Sequence, residues 1–176
     1  MSTELLIREL YVAVLDGVAS SGRVRERLQV TGLGRHFAVE PADAFRLAGA
    51  GAAAVEAYAD DAEETWEERW AVDTDKAWDA LHRALAPGSA ALSRAVLGGL
   101  PLPAGPRLLA RLLLPAQVPA VAAALASLTP TRLHHGLRAL DRPLDLPYAW
   151  ERLSALRDFY LRASGAGRGV LFTVDG

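Results

Sequence analysis

The pattern that most constrains this chain is a long amphipathic helix followed at once by an apolar strand. In PYAWERLSALRDFYLRASG, apolar side chains recur every three or four residues and would share one buried face, with Gly165 at the C-terminal cap. This predicted face consists of Trp150, Leu153, Leu156 and Tyr160. The next segment, RGVLFTVDG, is mostly apolar, which is typical of a central strand in a small sheet. The chain is therefore expected to combine helices with a sheet.

Short segments of both kinds also precede that helix. RHFAVEP is predicted to be a strand with Phe37 and Val39 on one face, and Pro41 suits the first position of the helix after it. RLLARLL is predicted to be a strand because prolines bound it on both sides, and PLPAGP before it is predicted to be a loop.

Further helices are expected between these strands. The segment 42–70 is helical in tendency and is expected to break near Gly49 and Gly51 or at ADDAE. SAALSRAVLGG is predicted to be a short helix capped by Ser89, and PAQVPAVAAALASLT is expected to become regular close to Pro119. PTRLHHGLRAL is predicted to be another short helix.

Length and these elements together predict one domain. The 176 residues are expected to form a single compact α+β domain, mostly helical, with three or four short strands. Residues 1–30 are interpreted as an N-terminal extension or divergent start with a packed helix over TELLIRELYVAVLDGVASSG, and residues 31–176 as the main domain.

The absence of cysteine excludes several kinds of chemistry. Without cysteine the chain has no disulfides, no thiolate metal ligands and no cysteine nucleophile. MSTELLIREL has no basic segment of the kind that begins an export signal, so a cytoplasmic location is predicted. The longest uncharged run, 112–131, reaches membrane-spanning length but contains three prolines and a glutamine, so no membrane contact is expected.

Charge is distributed unevenly along the chain. The net charge of −2 gives no general attraction to nucleic acid or anionic lipid, and no nucleic-acid partner is predicted. Segment 56–79, however, holds ten acidic residues against Arg69 and Lys76. This segment is interpreted either as a solvated helix face next to a basic one, or as an acidic surface that recognises a basic protein partner.

The segment DTDKAWDALHRAL contains the densest set of chemically active side chains. It is predicted to be one helix, with Asp73 as its N-cap and Thr74 and Asp75 in its first turn. Its buried face would be formed by Trp78, Leu81 and Leu85, which recur at helical spacing. Pro87 and Gly88 would end it.

A polar stripe would border that buried face. On a helical wheel Asp75, Asp79 and His82 fall within about 60° of one another, a pattern that could bind a divalent cation or perform acid–base chemistry. The simpler interpretation assigns Asp75 to the helix N-terminus, pairs Asp79 with His82 or Arg83, and places His82 at the edge of the core. We favour this structural interpretation and predict no metal site.

Lys76 is the one lysine of the chain, and the same wheel points it away from the apolar face. It would pair with Asp73, Asp79 or a neighbouring helix, or else hold an anionic ligand. The loop GAGRG follows a helix and precedes a strand, which is the wrong order for a dinucleotide loop, and no other cofactor motif occurs. No cofactor is therefore predicted.

The motif D-x-D-K-x-W-D-x-L-H-x-x-L, followed shortly by L-S-R-A-V-L-G, resembles the YfbM-like family of small bacterial proteins, which is classed as a domain of unknown function. The resemblance is most specific over 73–102 and weaker over 35–175, and Leu114 stands where a threonine cap is common. It implies a soluble α+β protein and brings no established activity, cofactor or catalytic residue. The signature residues are Asp73, Asp75, Lys76, Trp78, Leu81, His82, Ser93, Arg94 and Gly98.

Two hypotheses about function follow. The favoured one is a non-enzymatic binding or interaction module, because no catalytic constellation is present and segment 56–79 is strongly acidic. The alternative is a small-molecule or metal-dependent enzyme, which would require a cleft in which polar side chains converge. The candidate binding residues for that cleft are Asp75, Lys76, Asp79, His82 and Arg94.

Overall fold

The computed structural model describes residues 32–175 and has an α+β fold. Five strands form one sheet, one or two more than the sequence predicted. The strands are β1 (Gly34–Val39), β2 (Ala71–Asp75), β3 (Leu100–Leu102), β4 (Leu108–Leu113) and β5 (Gly169–Asp175). The helices of this range are α1 (Pro41–Ala48), α2 (Ala52–Glu64), α3 (Trp78–Leu85), α4 (Ala90–Arg94), α5 (Val118–Ala126), α6 (Pro130–Arg138) and α7 (Leu146–Gly165), with a 3-10 turn at Pro115–Gln117.

The sheet is antiparallel throughout, and β5 lies at its centre. The strand order is β2-β1-β5-β4-β3, so β5 pairs with β1 on one side and with β4 on the other. Leu171 of β5 lies opposite Phe37 of β1 and Leu112 of β4. The prediction that RGVLFTVDG is a central strand is confirmed.

Helices cover both faces of the sheet. On one face Phe37, Val39 and Leu171 pack in a core with buried residues of α1 and α2. On the other face Val170 and Phe172 pack in a larger core with α3 to α7. Alternate residues of β5 therefore point into different cores, as the two-residue period of a strand requires.

Several predicted boundaries are confirmed. Pro41 is the first residue of α1, and the helical segment breaks between Ala48 and Ala52, where Gly49 and Gly51 lie. The Ser89 side chain accepts a hydrogen bond of 3.1 Å from the backbone N–H of Leu92 and caps α4. Pro119 is the second residue of α5. The helix predicted near the N-terminus lies outside the described residues.

Two predictions about secondary structure are wrong. Asp73 and Asp75 belong to strand β2 and not to a helix, and α3 begins only at Trp78. Leu100–Leu102 forms strand β3, although the segment around it was predicted to be a loop. Pro101 is tolerated there because β3 is an edge strand, where a missing N–H leaves no partner unsatisfied.

Close packing between β1 and the start of α3 fixes the turn after β2. A Cβ atom on Gly34 would lie 2.6 Å from Cβ of Trp78, so only glycine fits there. The hydroxyl of Thr74 donates a hydrogen bond of 2.8 Å to the carbonyl of Gly34, and the indole Nε1 of Trp78 donates one of 3.2 Å to the carbonyl of Gly32. These contacts determine where Asp75 and Lys76 lie.

Candidate functional site

Asp75 ends β2 in a backbone conformation that is unusual for a residue with a side chain. Its φ is 52°, in the left-handed region. The hydroxyl of Tyr148 donates a hydrogen bond of 2.8 Å to Oδ2 of Asp75, and the backbone N–H of Lys76 also donates to this carboxylate. The bond from Tyr148 is the main reason that the pKa of Asp75 lies below its usual value. Asp75 is thus held firmly as a carboxylate.

Two residues of α7 complete this polar cluster, and sequence reasoning missed both of them. Burial and the bond to Asp75 raise the pKa of Tyr148, and the guanidinium of Arg152 lies 5.5 Å from the centroid of the Tyr148 ring. Arg152 also lowers the pKa of Asp75 through its charge. No local pattern could reveal these partners, because Tyr148 and Asp75 are joined only by the packing of α7 against β2.

The predicted stripe of Asp75, Asp79 and His82 does not exist as a helix face. Asp75 lies in a strand, so the 100° rotation per residue that placed it beside the other two does not apply. Asp79, in the first turn of α3, lies 3.9 Å from the guanidinium of Arg83, which is one of the predicted pairings. His82 is partly buried at the edge of the core, as the structural interpretation expected.

The other two candidate residues differ in their relation to the Asp75 cluster. Lys76 donates its backbone N–H to the Asp75 carboxylate, and its charge contributes to lowering the pKa of Asp75, whereas Arg94 belongs to α4. Lys76 is exposed in the turn after β2, and Arg94 is the half-buried last residue of α4. Neither forms an ion pair with another residue of the range 32–175. Within that range no group of three or more metal-ligating side chains comes together.

The remaining signature residues have structural contacts. Trp78 and Leu81 are buried in the larger core. The carboxylate of Asp73 accepts a hydrogen bond from the backbone N–H of Asp75 and so supports the turn, and does not cap a helix. The Ser93 hydroxyl donates to the carbonyl of Ala90 within α4, and Gly98 adopts a φ of 71°.

The acidic segment is compensated only in part after folding. Glu63 forms an ion pair of 2.6 Å with Arg35, and Glu56 accepts a hydrogen bond from the backbone N–H of Gly105. A second group of carboxylates is exposed and forms no ion pair with any residue of 32–175. We call this group the acidic face; it lies at the end of α2 and in the loop after it, next to the exposed Arg69, and consists of Asp60, Asp61, Glu64, Glu67 and Glu68.

Two aromatic side chains are exposed on the same layer of helices. Phe45 of α1 is 66% exposed, and Trp66, in the loop after α2, is 38% exposed. The Trp66 ring packs edge-on against Phe37, with 5.7 Å between ring centroids. The layer therefore presents both negative charge and apolar surface.

A cavity of about 170 Å³ opens beside the acidic face, between β1, α2 and the loop that leads to β2. We call it the α2 cavity. Its lining includes the acidic residues Asp61 and Glu67 together with Tyr58, Ala62, Trp70 and Arg168.

Arg168 forms one wall of the α2 cavity. Its guanidinium lies 3.8 Å from the centroid of the Trp70 ring and is hydrogen-bonded to the carboxylate of Glu40. Tyr58 donates a hydrogen bond of 3.4 Å to Asp43, and its burial is the main cause that raises its pKa to about 12. Arg168 and Tyr58, two polar side chains of the lining, are thus each hydrogen-bonded to a carboxylate of the chain.

His36 is a buried polar residue that the sequence analysis did not single out. Its imidazole is 0% exposed and lies 4.6 Å from Phe172 between ring centroids. Nε2 lies 2.9 Å from the carbonyl oxygen of Val96, whereas Nδ1 has no hydrogen-bond partner among the described residues. Burial lowers the pKa of His36 to about 3, so the ring is neutral near pH 7.

Comparison with known proteins places the chain in a family. No curated protein matches it significantly. Among residues 32–175, none of the helices combines the length and the apolar composition that a membrane span requires. A solved structure of a protein of unknown function, YfbM from Escherichia coli, has a similar fold, with a TM-score of 0.57 and 17% identity over 81% of this chain and 99% of that one. The family model described as Domain of unknown function (DUF1877) matches residues 31–173, which is most of the chain. The chain therefore belongs to this family, as its resemblance to YfbM-like proteins indicated.

Proposed function

We propose that the protein is a non-enzymatic binding module that recognises a basic protein partner through the acidic face. The observation that carries this proposal is the set of five exposed carboxylates that have no ion pair within residues 32–175. Other acidic residues of the same layer are compensated, such as Glu63 by Arg35 and Asp43 by Arg46.

The physical argument rests on charge density. Like charges gathered on one surface repel each other, and a partner that carries lysines or arginines relieves this repulsion. Such complementarity accelerates association and suppresses the wrong partners, and it weakens as salt is added. Exposed Trp66, in the same loop as Glu67, adds an apolar anchor, and tryptophan is among the residues that contribute most to interface energies.

The alternative function is an enzyme that uses Asp75, Lys76, Asp79, His82 and Arg94. One observation favours it, namely the left-handed backbone of Asp75, because such strain is often found at functional sites. Against it, the Asp75 carboxylate accepts a hydrogen bond from Tyr148, and Asp79 lies within ion-pairing distance of Arg83. These contacts support an architectural role for both carboxylates, so we favour the binding module.

Co-purification with matched charge variants tests the proposal. The variant D60N/E68Q removes two charges from the acidic face, and D141N/E151Q removes two exposed charges elsewhere that also have no ion pair within residues 32–175. A basic protein should co-purify with the wild type and with the second variant, but not with the first. Its retention should also fall between about 50 and about 500 mM NaCl, where charges are screened.

Two results would contradict the proposal. Either no basic protein is retained by the wild type, or both variants lose the same protein to the same extent. The second result would mean that net charge alone, and not this face, governs the interaction.

A further inference from the structure

We propose that the α2 cavity binds one basic side chain, a lysine or an arginine, of the protein partner; this assignment rests on the proposed function and gives it a defined contact point. The cavity adjoins the acidic face, and two carboxylates of that face, Asp61 and Glu67, form part of its lining.

The charges around the cavity favour a cation. The one basic residue in its lining, Arg168, is hydrogen-bonded to Glu40, so its charge is compensated. Asp61 and Glu67 form no ion pair with any residue of 32–175. Two uncompensated carboxylates beside one cavity attract a positively charged group and repel an anion.

The size of the cavity favours a single side chain over a metabolite. Its volume of about 170 Å³ is well below the roughly 300–1,000 Å³ of typical small-molecule sites. A lysine or arginine side chain is narrow and carries its charge at the tip of an alkyl stem, which packs readily on apolar surface. Ala62 and Phe37 supply such surface beside the two carboxylates.

The walls of the cavity are fixed by contacts within the chain. The Arg168 guanidinium lies over the Trp70 ring at 3.8 Å and also donates to the carbonyl of Ala38, while the backbone N–H of Ala38 donates to the carbonyl of Trp70. Two guanidinium groups already lie against the Trp70 ring, that of Arg168 at 3.8 Å and that of Arg69 at 4.9 Å from its centroid. The incoming cation is therefore expected to bind mainly to the carboxylates. A bare divalent ion is a poorer fit, since the described residues bring no three metal-ligating side chains together.

The test uses an oligo-arginine peptide as the probe and its oligo-citrulline counterpart as a neutral control of the same shape. Binding is measured by calorimetry, and its location by the NMR resonance of the Trp70 indole N–H. The variant D61N/E67Q removes both carboxylates from the cavity, and E64Q/E68Q removes two from the same face outside it. All four side chains project from exposed positions, so both variants should fold, and unchanged thermal unfolding confirms this.

The cavity proposal predicts a selective loss. D61N/E67Q should weaken oligo-arginine binding at least about tenfold, whereas E64Q/E68Q should weaken it by no more than about threefold. Oligo-citrulline should not bind, and oligo-arginine should shift the Trp70 resonance in the wild type and in E64Q/E68Q but much less in D61N/E67Q. Equal weakening in the two variants would overturn the cavity as the site and leave the acidic face as a diffuse binding surface. If oligo-arginine does not bind the wild type, the cavity proposal is overturned, and the proposed recognition of a basic partner loses its support as well.

Discussion

Acidification is expected to destabilise the protein through His36. The imidazole is fully buried, and burial lowers its pKa from 6.5 to about 3 in the folded protein. In the unfolded chain the same side chain is solvated and titrates near its ordinary pKa of about 6.5. As the pH falls below that value, the unfolded chain takes up a proton that the folded protein does not, so the free energy of unfolding decreases.

The magnitude follows from the two pKa values. Each pKa unit is worth about 1.4 kcal/mol, so the interval from about 6.5 to about 3 corresponds to roughly 5 kcal/mol. Above about pH 6.5 His36 is neutral in the folded and the unfolded protein, and its full contribution to the free energy of unfolding is present. That contribution is lost progressively as the pH falls from about 6.5 toward about 3. At about pH 4.5 the expected loss is roughly 3 kcal/mol, a large part of the stability of an ordinary domain.

Urea unfolding of the wild type and of His36→Gln, near pH 7 and near pH 4.5, measures this effect. The glutamine amide can donate to the carbonyl of Val96 as Nε2 does, but it does not titrate. The variant should be less stable near pH 7, because it loses the ring contact with Phe172. Its loss of stability on acidification should be smaller than that of the wild type by about 3 kcal/mol. If both proteins lose the same amount, His36 is not the group responsible.

Two further predictions concern the turn that follows β2. Gly34→Ala should lower the free energy of unfolding by about 1–3 kcal/mol, because the new Cβ would lie 2.6 Å from Cβ of Trp78. A Cβ on Gly49 would meet no atom within 4 Å, so Gly49→Ala should change that free energy by less than about 0.5 kcal/mol. Urea unfolding measures both. Similar losses in the two variants would contradict the close packing. Tyr148→Phe should raise the pKa of Asp75 in an NMR titration and lower the free energy of unfolding by about 1 kcal/mol or less. An unchanged pKa would show that the hydrogen bond from Tyr148 to Asp75 does not form in solution.

The sequence was sufficient for elements whose own residues decide their conformation. Pro41 and Ser89 are local start signals for helices, and α1 and α4 begin where these signals lie. β5 is recognisable from its apolar composition because a strand buried on both faces needs apolar residues at nearly every position.

β2 was not predictable because its conformation is imposed by residues far away in the sequence. Asp73 and Asp75 are uncommon in strands and good helix caps, so local propensity favours a helix start. Pairing with β1 overrides this preference, with Asp73 opposite Arg35 and Asp75 opposite Gly34. The partner of Asp75 was not predictable for the same reason, since Tyr148 is far from Asp75 in the sequence and contacts it only through the packing of α7.

The candidate surface was predictable in outline and not in detail. Counting charges locates the acidic segment, but only the folded arrangement separates Glu56 and Glu63, which have partners, from the exposed acidic face. The α2 cavity combines residues from three separate parts of the sequence, such as Phe37, Asp61 and Arg168, and no local pattern could reveal it.

The central position of β5 has a consequence for how the protein is made. β1 with β2 and β4 with β3 form two separate pairs, and in the described chain only β5 joins them. The ribosome synthesises β5 after the other four strands. Until β5 emerges, the edges of β1 and β4 that pair with it in the folded protein have no partner strand. Unpaired strand edges and exposed apolar faces are prone to aggregate. Translation of this chain therefore leaves a period of vulnerability that ends only when residues 169–175 leave the exit tunnel.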